Sequence, residues 1–131
     1  MHFRFELAND VIIPASGETA IDIAKAACVK MDGVALGGDV NILRTTVDGV
    51  FLAHYLNHYR KFEIASIAQG NTVAHLYASQ LKNIPIEIPA EQEQEKIVNL
   101  LTAIDRKIEA ISRQIDGCDR FKQGLLQKMF V

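Results

Sequence analysis

Residues 97–118 of the chain read IVNLLTAIDRKIEAISRQIDGC. The apolar side chains in this stretch recur at alternating intervals of four and three residues, and the series continues after an interruption at Lys122. Such a heptad pattern is typical of a helix that packs its apolar seam against another helix. The predicted seam, and with it the predicted dimer interface, consists of Ile97, Leu101, Ile104, Ile108, Ile111, Ile115, Cys118, Leu125 and Met129.

The predicted helix lies within residues 90–131, which form the second of two parts of the chain. A helix of roughly 36 residues is about 54 Å long, and no other segment could form a helix that covers this seam. An uncovered apolar seam is unfavourable in water, so we expect the partner helix to come from another chain, most simply a second copy. The alternative is that the helix packs on its own domain.

Residues 1–89 differ in character, since all prolines, tyrosines and histidines and most glycines lie there. Short strands are predicted at residues 10–14, 33–38, 40–44 and 84–88, the last at a sheet edge because of its prolines. Helices are predicted over residues 48–58, capped by Asp48, and 62–68, stopped by Gly70. The expected fold class is therefore α+β (mixed α/β), a small domain followed by a long coiled-coil helix.

Composition excludes several classes of protein. Apolar residues make up 49% of the chain and charged residues 23%, which predicts a folded protein, and the net charge of −2 argues against an autonomous, non-specific nucleic-acid binder. Cys28 and Cys118 stand far apart, which disfavours a disulfide framework or a zinc site. No signal peptide or membrane-spanning run is recognisable, so a cytoplasmic location and no membrane partner are expected.

No catalytic site can be assembled from the sequence. There is no phosphate-binding loop and no nucleophile elbow, so we predict no catalytic residue and no enzyme activity. His54 and His58 lie one helical turn apart but lack a third ligand nearby, so we predict no metal site either. A metal-dependent hydrolase built on these histidines is the enzymatic alternative, and bound metal in the purified protein would favour it.

Polar side chains on or near the predicted loops could instead contact DNA. Hydroxyl, amide and cationic groups of this kind bind phosphates and base edges, although the same residue types also serve as turn formers and helix caps. The candidate DNA-binding residues are Ser16, Thr19, Arg44, Thr45, Arg60, Lys61, Asn71, Thr72 and His75.

Residues 70–101, GNTVAHLYASQLKNIPIEIPAEQEQEKIVNLL, resemble the end of a recognition domain in the specificity subunit of a type I restriction-modification enzyme. The matching features are a Gly-x-Thr turn, a short helix, a strand ending in proline and a Glu-Gln pair that opens a long helix. They correspond here to Gly70 with Thr72, Leu81 with Ile84, Pro89, Glu93 with Gln94, and the continuation from Ile104 to Ile108. Residues 13–19 and 37–44 are similar to the central strands of such domains.

The resemblance implies a non-catalytic subunit that reads part of a split target in double-stranded DNA and scaffolds modification and restriction subunits. Those partners would use S-adenosylmethionine, ATP and Mg²⁺, and this chain would bind no cofactor. Because residues 1–89 form only one small domain, we expect an N-terminally truncated recognition domain and a homodimer. The alternative is an interaction protein that reads no DNA and pairs through its coiled coil with itself or with a full-length specificity subunit.

Overall fold

The structure is a computed structural model that describes residues 4–130. The chain divides into two compact units, Met1–Glu95 and Lys96–Val131. The first unit holds seven short strands and four helices within the described residues, and the second consists of most of one long helix.

The strands of the first unit form three small antiparallel sheets. A three-stranded sheet has the order β4–β2–β6, and two-stranded sheets pair β1 with β5 and β3 with β7. The strands are β1 (Arg4–Glu6), β2 (Val11–Pro14), β3 (Ser16–Gly17), β4 (Ala27–Cys28), β5 (Val34–Leu36), β6 (Val40–Leu43) and β7 (Ala74–His75).

The helices follow local sequence signals at their starts. Asp48 caps the first long helix by accepting a hydrogen bond from the Phe51 N–H at 2.9 Å, as predicted. Thr19 caps a single helical turn by accepting from the Asp22 N–H at 3.2 Å. The helices are α1 (Ala20–Ile23), α2 (Gly49–Tyr59), α3 (Lys61–Ile67), α4 (Ala78–Leu81) and α5 (Glu91–Met129).

The core of the first unit lies between β2 and the helices. Alternate residues of β2, Val11 and Ile13, are fully buried, which reflects the two-residue repeat of a strand. Leu52 and Leu56, four residues apart on α2, bury the same helical face. Other core side chains are contributed by α1, α3 and β7 with the residue after it: Ile23, Ile64, Ala74 and Leu76. The predicted mixed α/β domain followed by a long C-terminal helix is confirmed.

One local prediction is wrong. Residues 84–88 contain no strand; they follow α4 as an irregular segment, and Pro85 lacks the N–H that a central ladder position needs. The helix predicted over residues 62–68 is present as α3, one residue earlier at each end; Ala68 is already extended, and its N–H bonds back to the Ala65 carbonyl. Gly70 instead makes the turn before β7, with a φ of +119°.

The second unit is a continuous helix whose side chains face solvent. Every described residue from Ala103 to Phe130 is exposed, including the seam residues from Ile104 onward. Exposed apolar side chains repeated along one stripe are characteristic of a helix that associates with a partner. None of the helices within residues 4–130 is both long and apolar enough to cross a membrane.

Candidate nucleic-acid interface

The β3–β7 pair brings four of the nine candidate DNA-binding residues to one edge of the first unit. Ser16 lies directly opposite His75 in the antiparallel register, and Asn71 and Thr72 occupy the turn that enters β7. Asn71, Thr72 and His75 are exposed, and the His75 ring stacks on that of Tyr77 at 6.4 Å between centroids. We call these four residues the β3–β7 edge.

Backbone contacts hold this edge in place. The N–H of His75 donates to the Gln69 carbonyl at 2.7 Å, and the N–H of Gln69 donates to the His75 carbonyl at 2.8 Å. The intervening turn depends on Gly70, since a Cβ there would come within 2.0 Å of the Val73 carbonyl oxygen. The turn that carries Asn71 and Thr72 is therefore fixed at both ends.

A carboxylate also belongs to this part of the surface. The Ser16 hydroxyl donates a hydrogen bond to a carboxylate oxygen of Asp39, a residue that sequence reasoning did not single out. The pairing engages the Ser16 hydroxyl and places a negative charge beside the β3–β7 edge. A phosphate would be repelled here, whereas an amino group on a base edge could be accepted.

Arg44 and Thr45 lie elsewhere and bond within the domain. Arg44 donates from Nε and Nη2 to the two oxygens of Asp10, at 2.8 and 2.6 Å. The Asp10 side chain is only 3% exposed, whereas that of Arg44 is 57% exposed. Thr45 accepts from the Val47 N–H at 3.1 Å. Because Leu43 pairs with Val11 and Val40 with Pro14, these two residues follow the end of β6 that is remote from β3.

Arg60 and Lys61 lie at the junction of α2 and α3. The Arg60 guanidinium lies over the rings of Tyr55 and Tyr59, at 5.9 and 5.6 Å from their centroids, and donates to Glu63 at 3.1 Å. Desolvation lowers the pKa of Arg60, but hydrogen bonding to Tyr55 and the hydrogen bond and negative charge of Glu63 outweigh it and raise that pKa. Its side chain is 18% exposed.

The remaining candidate, Thr19, is engaged as the cap of α1 and donates its hydroxyl hydrogen to Asp22. The nine candidates are thus distributed over separate places, and the largest group consists of Ser16, Asn71, Thr72 and His75. Sequence reasoning missed Asp10 and Asp39, and no local signal identifies either, because their partners are 34 and 23 residues away.

Two further features bear on chemistry. An apolar groove of about 330 Å³ runs between β6 and the segment after α4, lined by residues that include Leu43, Leu52, Leu81, Ile84 and Ile86. Its lining is mainly aliphatic, with no group of convergent acids, bases or nucleophiles. Across the described range 4–130, no three His, Cys, Asp or Glu side chains are grouped so that they could hold a metal ion.

The two units carry opposite charges. Residues 1–95 contain seven Lys and Arg against twelve Asp and Glu, a net charge of −5, whereas residues 96–131 contain seven against four, a net charge of +3. Any DNA contact by the first unit therefore has to be made by a local surface rather than by its overall field.

Comparison with known proteins gives consistent matches. The family described as type I restriction modification DNA specificity domain matches residues 5–117. The type I restriction enzyme MjaVIII specificity subunit of Methanocaldococcus jannaschii is 27% identical over 124 residues, which are 93% of this chain and 28% of that protein. The crystal structure of the type I restriction-modification system S subunit from M. genitalium aligns with a TM-score of 0.58 and 21% identity, covering 85% of this chain and 29% of the other.

The chain thus spans little more than a quarter of each of these two proteins, and the structural likeness concerns the fold. The family match nevertheless covers most of the chain, from β1 into the C-terminal half of α5. On this basis the chain belongs to the family of type I restriction modification DNA specificity domains.

Proposed function

We propose that this chain acts as a DNA-specificity subunit, or half-subunit, of a type I restriction-modification system. It would read part of a split DNA target and scaffold the modification subunits. The observation that carries the proposal is the family match over residues 5–117, since it includes both the α/β domain and the helix that would join it to partners. The same coupling of a reading domain to a connecting helix is what a specificity subunit requires.

The β3–β7 edge is the proposed base-reading surface. Its hydroxyl, amide and imidazole groups can donate to or accept from base edges, and Asp39 beside Ser16 can accept from an exocyclic amino group. Thr19, Arg44 and Thr45 already bond within the domain, so we propose that they stabilise it rather than contact bases.

Partner subunits would supply most of the phosphate contacts and the catalytic activities of the complex. A net charge of −5 on residues 1–95 opposes tight binding to a polyanion, so other subunits would provide most phosphate contacts. We further propose that the chain is non-catalytic and binds no cofactor, with S-adenosylmethionine, ATP and Mg²⁺ used by the modification and restriction subunits.

Self-association through the heptad seam is the simplest source of a partner helix. A pair related by a twofold axis would carry two identical reading domains, an arrangement suited to an inverted-repeat target. The exposure of the seam from Ile104 to Met129 supports this proposal. A monomer at micromolar concentration would contradict it.

The second candidate is an interaction protein that reads no DNA. The observation that favours it is the acidic charge of residues 1–95, which is unusual for a DNA-binding surface. Such a protein would pair through α5 with a full-length specificity subunit and compete for its partners.

Purification from the native host distinguishes the two candidates. For this experiment an affinity tag is added at the N-terminus, so that α5 remains unmodified. The proteins that co-purify with the tagged chain are identified by mass spectrometry. Recovery of an adenine-methylating subunit supports the specificity role, whereas recovery of only the chain itself or a full-length specificity subunit supports the interaction protein.

The reading surface has its own test in the recovered methylating complex. Thr72→Ala combined with His75→Ala should abolish methylation of the target or redirect it to a different DNA sequence. Ser79→Ala, at an exposed position of α4, should leave both the target and the extent of methylation unchanged. Unchanged methylation at every site in the double variant would contradict the proposed surface. Sequencing that detects methylated adenine provides the readout.

A further inference from the structure

Two aromatic side chains at the junction of α2 and α3 are largely exposed to solvent. Tyr59 is 70% exposed and Phe62 is 79% exposed, and they flank Arg60 and Lys61 in sequence. Burying either ring elsewhere would be favourable, so their exposure in a small α/β domain is costly unless something binds there. We call Tyr59, Arg60, Lys61 and Phe62, together with Lys25, the aromatic corner.

The aromatic corner is held rigid from within. The rings of Phe51, Tyr55 and Tyr59 stack along α2 with centroid separations of 6.0 and 5.4 Å. Arg60 lies over the two tyrosines and is fixed in turn by Glu63. The exposed Tyr59 ring is therefore already ordered, and a ligand that contacts it would lose little further side-chain entropy.

Lys61 lies at this junction and Lys25 follows α1, which packs against α3, although the unit as a whole is acidic. The Asn57 side chain accepts from the Ala26 N–H at 2.7 Å and donates to the Ala26 carbonyl at 2.9 Å, which brings Lys25 to the C-terminal half of α2. Lys61 opens α3, which packs against α1. Glu63, the acid nearest to Lys61 in sequence, is paired with Arg60, and Asp22, three residues before Lys25, accepts a hydrogen bond from the Thr19 hydroxyl.

We propose that the aromatic corner contacts the sugar–phosphate backbone of duplex DNA. Lys25 and Lys61 would pair with phosphates, and the Tyr59 and Phe62 rings would pack on the deoxyribose between them. The inference rests on the proposed DNA-specificity function and adds to it a surface that positions the duplex without reading its sequence.

Charge complementarity selects DNA as the occupant. The two lysines offer positive charge, and the Arg60 guanidinium adds a third cation, which lies over the Tyr55 ring and donates to Glu63. A polyanion gains from each of these cations by releasing condensed counterions, whereas a neutral protein surface would leave both lysines desolvated without a partner. The β3–β7 edge then reads bases while the corner supplies part of the phosphate contact.

The test measures binding of the full chain to a fluorescent duplex of random sequence as salt is increased. Lys25→Gln with Lys61→Gln should reduce the slope of log affinity against log salt by about 2, since each lysine that contacts a phosphate contributes about 0.9. Tyr59→Ala with Phe62→Ala should weaken binding roughly tenfold with little change in slope. The matched control is Lys30→Gln with Lys82→Gln, which removes two exposed lysines of the same unit and should leave the slope unchanged.

Three outcomes would overturn the inference: no measurable binding of the unsubstituted chain at low salt, an equal loss of slope in the control pair, or unchanged binding in both corner variants. If the corner variants bind DNA normally but lose a co-purifying subunit, the corner is a protein interface. Lys61→Glu provides a second probe, and thermal unfolding checks that each variant is folded. Because the duplex has random sequence, failure here leaves the partner and methylation tests of the proposed function unaffected.

Discussion

The two units of this chain are stabilised in different ways. In Met1–Glu95, short elements are joined by individual side chains that bond to distant backbone groups. Asn9 accepts from the Gly49 N–H at 2.6 Å and donates to the Val47 carbonyl at 2.9 Å, and Asn41 donates to the Leu76 carbonyl at 2.9 Å. In Lys96–Val131, a single helix repeats one simple pattern with its apolar seam exposed.

This difference predicts where each unit is vulnerable. The first unit depends on particular long-range pairs, so a single substitution at one of them should destabilise the whole unit. The helix depends on its seam, because an isolated helix in water has little stability of its own. Substitutions in the seam should therefore affect association far more than they affect the first unit.

The largest effect is expected from charges in the seam. Ile108→Glu with Ile115→Glu places two carboxylates per helix in the proposed interface, and we expect self-association to weaken by at least about a thousandfold. Analytical ultracentrifugation measures the monomer–dimer equilibrium. Gln123→Glu with Gln127→Glu adds the same charge outside the heptad stripe and should leave the equilibrium nearly unchanged. Equal dissociation in both variants would show that net charge, not the seam, controls association.

A smaller effect is expected at the ion pair between Asp10 and Arg44. Arg44→Met removes the guanidinium that pairs with the buried Asp10 carboxylate. The Leu7 N–H, at 3.0 Å, is among the hydrogen-bond donors that this carboxylate keeps. Because Arg44 is half exposed, we expect a loss in free energy of unfolding of about 3 kcal/mol, at the low end for a broken buried pair. Urea unfolding of the first unit measures it. Lys30→Met, at an exposed position, should change stability by less than about 0.5 kcal/mol.

Sequence reasoning worked where the signal was local. The heptads predicted the long helix, and the position of Asp48 before an apolar run predicted the cap of α2. It failed over residues 84–88, where Ile84, Ile86 and Ile88 alternate as in a strand. In the structure these three side chains line the apolar groove beside β6. Their alternation therefore reflects packing in this groove, and the segment forms no strand hydrogen bonds.

The candidate site was less predictable because its residues meet through contacts that are distant in sequence. Polar residues could be identified as available for DNA, but not as neighbours, since Ser16 and His75 meet only through a register of two-residue strands. Arg44 has the residue type of a phosphate contact, and only its distant partner Asp10 reveals a structural role. Tyr59 follows one predicted helix and Phe62 opens the next, and periodicity cannot show that their rings face solvent.

The turn before β7 should respond to one added methyl group. Gly70→Ala must adopt a φ that L-residues rarely take and brings its Cβ against the Val73 carbonyl, so we expect a loss of about 2 kcal/mol. Gly37→Ala is the matched control, because nothing lies within 4 Å of its Cβ position and its φ is ordinary. Thermal unfolding compares the two. Equal stability of both variants would mean that the turn at Asn71 and Thr72 is not fixed by Gly70.

The smallest effect concerns the place where α5 begins, within the first unit. Gln94 is the one buried residue among the described part of α5; its Oε1 accepts from the Asp48 N–H at 3.2 Å, and its Nε2 donates to the Pro89 carbonyl at 3.0 Å. Gln94→Ala removes both bonds, and we expect a loss of about 1 kcal/mol in urea unfolding, because neighbouring water can reach part of the vacated space. Gln92→Ala, two residues earlier and exposed, removes the same side chain without a bond and should be nearly neutral. Since Asp48 also caps α2, amide exchange at Phe51 should accelerate in the Gln94 variant alone. If it does not, Gln94 fixes only the start of α5 and has no effect on the domain that precedes it.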